Sequence, residues 1–202
     1  LHLMALVVKE QGLMLRSIEF FDLSLKASRK QPVVWSNKAN LLRSLGQIKE
    51  ADECYGKAIK LMPSFRDALH NRGALELERD NPAKAIRWFE KAQKLDSNVA
   101  TTTSLTEAYI ALEEFGRAAK LLNKTRKKWP DDISILVSDV RLMVAQEKHD
   151  RARAILEKAL TSHPNQGFIS YQLGLVYLDQ LKVTEATDWF EKALEISPDL
   201  ID

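Results

Sequence analysis

GFISYQLGLVYLDQLKVTEATDWFEKALEISPDL, residues 167–200, is the stretch whose reading decides the fold. Its second half sets Ala186, Phe190 and Ala193 at i, i+4 and i+7, so a small, a large and a small residue share one helical face. The small residues let a neighbouring helix approach closely, and the large one fills the space between them. Pro198 stops that helix, because it lacks an N–H and clashes with the preceding turn. The first half carries Leu173, Gly174 and Tyr177 on a helix of its own. The stretch therefore reads as two helices paired antiparallel.

The same pattern recurs upstream. Ala51, Ala85, Ala118, Ala152 and Ala186 are spaced by 34, 33, 34 and 34 residues, and a further step of 34 lands on Ser17. Four residues after each stands a large apolar residue: Phe21, Tyr55, Phe89, Leu122, Leu156 and Phe190. Seven after stands a small one: Ser24, Ala58, Ala92, Thr125, Ala159 and Ala193. Twelve after, Pro63, Pro130, Pro164 and Pro198 end the helix; Arg29 and Ser97 are the exceptions. Gly46 marks the turn inside the second pair, and Asn81-Pro82 supplies an N-cap and a first helical residue in the third.

With Trp35, Leu173, Gly174, Tyr177, Ala186, Phe190 and Pro198 in these columns, the chain resembles the tetratricopeptide repeat family along essentially its whole length. Lys38, Arg72 and Asp139 depart from the family in the leucine column, Thr106 and Val140 in the glycine column, and Glu76 and Met143 in the tyrosine column. The resemblance implies an all-α, right-handed α-solenoid of twelve helices in antiparallel pairs. The repeats are expected at 1–31, 32–65, 66–98, 99–132, 133–166 and 167–200, with 201–202 the start of a further segment. Leu1 in place of an initiator methionine is read as the start of a piece of a longer protein. Stacked hairpins bury a continuous core that one hairpin cannot, and their first helices line a concave ligand surface.

The 202 residues are 45% hydrophobic and 29% charged, a folding composition with a formal net charge of +2. So slight a balance gives no electrostatic case for nucleic acid or an anionic membrane. The apolar run Leu1–Val8 lacks a basic leader and is too short to span a bilayer. The single cysteine, Cys54, forms no internal disulfide and suits a reducing compartment, so a cytoplasmic setting is expected.

No catalytic constellation is legible, and neither metal nor cofactor is expected. His2, His70, His149 and His163 lack metal-ligand spacing, no glycine loop cradles phosphate, and no serine sits in a nucleophile elbow. Asp131-Asp132 reads as a helix cap, and the sequon Asn123-Lys124-Thr125 falls mid-helix. The basic run Lys124, Arg126, Lys127 and Lys128 beside Trp129 reads as a solvated helix end. Trp88 and Trp189 are expected to pack between repeats.

By the family register, the peptide-binding groove comprises Asn37, Asn40, Arg43, His70, Asn71, Glu78, Thr103, Glu107, Arg141, Tyr171 and Leu175, with Ser36 and Val137 among its neighbours. Its N-terminal part is polar and its C-terminal part, with Val137, Val144, Tyr171, Leu175 and Leu178, apolar. Asn40 and Asn71 match the asparagines of the family's carboxylate clamp, but Ser36, Ala100 and Ser104 stand where that clamp has basic residues. A carboxylate needs positive charge to offset its desolvation, so the clamp is incomplete.

The function expected is a non-catalytic scaffold that binds a protein or peptide, with neither nucleic acid nor membrane as partner. The alternative is the repeat region of a larger enzyme, such as a sulfotransferase, glycosyltransferase or oxygenase. Two further expectations concern packing. Ala159 should be buried between helices. The last hairpin should leave Tyr171, Val176, Tyr177, Trp189, Phe190 and Leu194 as an exposed apolar face open to self-association.

Overall fold

The computed structural model describes residues 1–201 and is built of helices. In chain order these are α1 (His2–Glu10), α2 (Met14–Ala27), α3 (Pro32–Ser44), α4 (Ile48–Leu61), α5 (Arg66–Glu78), α6 (Pro82–Leu95), α7 (Val99–Ala111), α8 (Phe115–Arg126), α9 (Ile133–Ala145), α10 (His149–Ser162), α11 (Gly167–Asp179) and α12 (Val183–Ile196). A short 3-10 turn, Pro198–Ile201, follows, and Asp202 lies outside the described residues. No strand occurs among the described residues. The helices fall into two units, Leu1–Ala108 and Tyr109–Asp202.

Each hairpin closes in the same way. The residue five before the small-column position adopts positive φ in every hairpin: Gly12, Gly46, Asp80, Glu113, Glu147 and Leu181. The N–H that follows it returns to a carbonyl five residues back, as Gln47 N does to Leu42 O at 2.9 Å and Lys182 N to Tyr177 O at 3.0 Å. This satisfies carbonyls that a helix end otherwise orphans. Only Gly12 and Gly46 adopt this conformation freely; a branched residue such as Leu181, at φ 59°, is held there by the pair it joins.

In unit 1, Ser17, Ala51 and Ala85 are fully buried, and so are Phe21, Tyr55 and Phe89 four residues later. Ser17 stands for alanine at no polar cost, because its hydroxyl donates to Ala5 O at 2.8 Å. Gly73 is required by contact: a Cβ there would come within 2.6 Å of the Phe89 ring. A Cβ on Gly174 would meet the Phe190 ring in the same way in unit 2. The glycine column thus exists because the large residue of the partner helix presses on its backbone.

In unit 2, Leu156 and Ala152 of α10 join Val140 of α9 and Ile169, Leu173 and Val176 of α11 in one cluster, with Trp189 packed against it. The Trp88 ring lies under Arg72 and Lys91 of its own hairpin. Ala159 is only half-buried, unlike Ala58, Ala92 and Ala193 of the same column. Asp132 caps α9 by accepting from Ser134 N and Ile135 N, whereas Asn81 turns its amide back to Arg79 O and caps nothing.

The expected apolar face of the last hairpin is also corrected. Val176 is buried, Tyr171 stacks against Phe168 and Phe190, and Tyr177 lies beneath Arg153 and Lys182. Tyr171, Tyr177, Trp189 and Phe190 are all half-buried, so of the six only Leu194 is exposed. The more open apolar side chains there are Leu178, Leu181 and Val183.

The charged intruders in the leucine column each find an opposite charge on the second helix of the preceding pair. Lys38 meets Asp22, Arg72 meets Asp52 at 2.7 Å, and Asp139 meets Arg126. Asp139 is buried, and burial pushes its carboxyl above the usual carboxylate range while Arg126 pulls it down. Between the ordinary value, about 4, and the raised folded value, the native state holds the extra proton. Stability owed to this group therefore falls as pH rises through that window.

Arg126→Met should widen the window upward. Since Arg126 is itself about half exposed, the expected loss near neutral pH is about 1–2 kcal/mol, less than for a fully buried pair. The loss should shrink as pH falls. Thermal melts of both proteins across that pH range check this, and Asp139→Asn in the Arg126→Met background should remove the pH dependence.

Candidate functional site

In unit 1 the face shared by α3, α5 and α7 carries a polar network. The Tyr55 hydroxyl, rooted in the core of α4, donates to Asn40 Oδ1 at 2.6 Å, and Asn71 Nδ2 donates to the same oxygen at 2.9 Å. Burial holds the Tyr55 phenol protonated, its pKa pushed up to about 12. One oxygen thus fixes two amides and a hydroxyl from three helices. Asn40 Nδ2 and Asn71 Oδ1 are left with no protein partner among the described residues.

The flanks of this pair are also tied. Arg43 Nε donates to Glu78 Oε1 at 2.8 Å, and that bond raises the guanidinium's pKa. Asn37 Nδ2 lies 2.9 Å from His2 Nε2. His70 sits on the Phe89 ring with Nδ1 3.2 Å from Thr101 Oγ1, and burial, followed by the nearby Arg43, lowers its pKa. The ring is consequently neutral at physiological pH, able to donate from one nitrogen and accept at the other.

Asn37, Asn40, Arg43, His70, Asn71 and Glu78 are therefore brought together on one face. Thr103 is not joined to them: its hydroxyl donates to Ala100 O in its own helix. Glu107 is exposed further along α7. Ser36 and Val137, expected beside the groove, are buried instead. His2, Tyr55 and Thr101 belong to the network and were missed. Their partners lie between 15 and 35 residues away, so no local pattern marks them.

Unit 2 presents a different surface. Between α9 and α11 lies a pocket of about 450 Å³ lined by Val140, Val144, Leu175, Val176 and Leu178, with Arg141 and Asp179 at its rim. His149 Nε2 lies 2.7 Å from Asp179 Oδ2 and holds one wall. Leu175 faces this pocket; Tyr171, half-buried against Phe190 and Phe168, does not line it. Such a cavity seats an apolar side chain.

Other sequence candidates serve packing. The basic run is divided: Arg126 pairs with Asp139, and Lys128 lies over Trp129. Cys54 is a buried free thiol whose pKa is raised by burial. Among the described residues, no group of three or more His, Cys, Asp or Glu is placed to hold a metal ion, and no helix is long and apolar enough to cross a membrane.

Residues 32–65 and 140–201 each match a family model described as the tetratricopeptide repeat. A stretch of 174 residues, 82% of the chain, is 32% identical to human protein O-mannosyl-transferase TMTC3, and the chain spans 19% of that protein's length. The fold is similar to that of a tetratricopeptide repeat protein from Parabacteroides merdae, with a TM-score of 0.78 at 20% identity over 98% of this chain and 78% of that one. It is also similar to YrrB, described as a TPR protein with an unusual peptide-binding site, with a TM-score of 0.62 at 21% identity over 90% of this chain and 94% of that one.

Proposed function

Because the chain belongs to the tetratricopeptide repeat family, we propose that it is a non-catalytic, cytoplasmic scaffold that binds an extended protein segment along the first-helix faces of its repeats. The observation that carries this reading is the unpartnered pair, Asn40 Nδ2 and Asn71 Oδ1, held in place by Tyr55. One donor and one acceptor match the C=O and N–H of a peptide backbone, so the contact is independent of the ligand's sequence. Arg43, Glu78, Asn37 and His70 surround the pair, with Thr103 and Glu107 further along the face. In unit 2, Arg141 and Leu175 at the α9–α11 pocket select an apolar side chain, with Tyr171 beside them.

The test is a peptide selected by display on the intact chain. Asn71→Ala should weaken it about tenfold, the effect of one or two lost hydrogen bonds. This variant leaves the Tyr55–Asn40 bond intact, so loss of affinity with unchanged melting reports the ligand contact. Unchanged affinity for Asn71→Ala and for Asn40→Ala would remove the groove assignment.

A second reading is favoured by one observation, the 32% identity to an O-mannosyl-transferase of which this chain matches a fifth. On that reading the repeats are the partner-binding segment of a larger transferase. The coding sequence on either side of residues 1–202 distinguishes the two.

A further inference from the structure

A second recess in unit 1 lies away from the groove. It is a crevice of about 580 Å³ where the ends of α2 and α4 flank the start of α3. Its apolar lining is Leu25, Trp35 and Leu61, and its rim carries Lys26, Arg29, Lys57 and Lys60. Trp35 is two residues from Asn37, about 200° round α3, so the two sites occupy different faces.

The charge here is uncompensated. Asp22, the one acid in the lining, is engaged by Lys38. None of the four rim cations has an ion-pair partner among the described residues. A chain whose formal balance is only +2 thus gathers four unpaired cations at one recess.

Cations at helix C-termini are favoured by the helix dipole, so position alone could account for them. Unit 2 contains an independent comparison. The equivalent crevice, at the ends of α8 and α10 beside the start of α9, measures about 390 Å³ and has Leu136 where unit 1 has Trp35. It keeps Lys158 in the place of Lys57 and adds Arg126, but Pro130 and Thr161 stand for Arg29 and Lys60, Asp131, Asp132 and Asp139 join the lining, and Ser162 replaces Leu61. The crevice of unit 2 therefore offsets its cations with aspartates, and the cationic, aromatic version belongs to unit 1.

Trp35 is held for contact rather than left mobile. Its Nε1 donates to Arg29 O at 3.0 Å, and Lys57 Nζ lies 4.6 Å from the ring centroid. Leu61 is about two-fifths exposed, so the apolar floor is open. The volume falls in the range of about 300–1,000 Å³ typical of ligand sites.

We propose that this crevice is a second binding site, for an acidic peptide segment that places one apolar side chain on Leu25, Trp35 and Leu61 and its carboxylates on Lys26, Arg29, Lys57 and Lys60. Four cations, one on α2, one just past its end and two on α4, suit carboxylates spread along a chain. A single compact anion would reach only some of them, and would leave the apolar floor unused.

The probe is a short fluorescein-labelled peptide of glutamates flanking one leucine, titrated against the whole chain. Binding should weaken as salt rises, since exposed charge pairs are screened. Lys26→Glu with Lys60→Glu should weaken it at least about tenfold. The same peptide with glutamine for glutamate, or alanine for the leucine, should bind much less well. Asn40→Ala with Asn71→Ala should leave binding intact, which separates this site from the groove.

Both lysines are exposed, and an unchanged far-ultraviolet dichroism spectrum would show that the charge-reversed chain is folded. Equal binding of the glutamine peptide, or unchanged affinity after charge reversal, overturns the proposal. So does equal binding of the alanine peptide together with full displacement by inorganic tripolyphosphate at constant ionic strength, which would make the crevice a simple anion site.

Discussion

Phe89→Ala should destabilise unit 1 by about 3–5 kcal/mol, the range for emptying an aromatic site in a packed core. Phe89 is fully buried and touches the backbone at Gly73 and the ring of His70. Its loss leaves a cavity between α5 and α6, because these helices are held apart by the chain around them. The companion change is Gly73→Ala. In the native protein its Cβ would fall 2.6 Å from Phe89 Cε1, so overpacking should cost about 1–3 kcal/mol, offset by up to about 1 kcal/mol of helix propensity.

With Phe89→Ala already in place, the same methyl group enters empty space, and Gly73→Ala should become neutral or stabilising. The double-mutant cycle should therefore show a coupling of at least about 1 kcal/mol. Additive effects would mean that Gly73 and Phe89 do not share this contact. Repeat arrays need not unfold in a single step, so hydrogen exchange in α5 and α6 is the appropriate measurement alongside denaturant melts.

Ala92→Leu should rank next. Ala92 is fully buried at the second small position of α6, where added methylenes force side chains and backbone to move at a cost of about 1–3 kcal/mol or more. Ala159→Leu falls in the same column, and burial of Ala159 between helices would make it cost as much. Because Ala159 is half-buried beside an open crevice, its longer side chain can turn outward, and the expected cost falls below about 1 kcal/mol. Equal losses for the two variants would show that the column, and not the local opening, sets the cost. The two denaturation midpoints decide the matter.

The groove illustrates why only part of a site could be read in advance. Asn40 and Asn71 follow from the repeat register, since residues at one position of successive repeats come to one face. That they share a single oxygen with Tyr55 does not follow. Tyr55 reads as a core residue in its column, and it is one, fully buried; its hydroxyl supports the groove from beneath, through Asn40 Oδ1. Thr103 and Thr101 are two residues apart on α7, and the register favoured the first. The second meets His70, while Thr103 satisfies its hydroxyl on Ala100 O. A hydroxyl takes whichever acceptor lies within reach, and that choice depends on the neighbouring helix.

What the sequence determined by itself is the hairpin and its period. The 34-residue spacing of Ala51, Ala85, Ala118, Ala152 and Ala186, with large residues four positions on, needs only helical geometry to become an apolar face. A helix so patterned can bury itself only against another. What the tertiary structure alone decided is the fate of residues whose role depends on a neighbour distant in the chain. Leu181 takes a left-handed conformation that leucine avoids, because five other hairpins of the same geometry turn at that position and the two packed helices dictate the link. Lys38, Arg72 and Asp139 look like faults in the leucine column until Asp22, Asp52 and Arg126 are seen opposite them. The basic crevice likewise has no motif, since its cations come from positions 26, 29, 57 and 60 and become one site only when the ends of α2 and α4 flank the start of α3. Apolar burial depends on a face and is legible in a period; pairing of charges and hydrogen bonds depends on a particular partner, and packing supplies it.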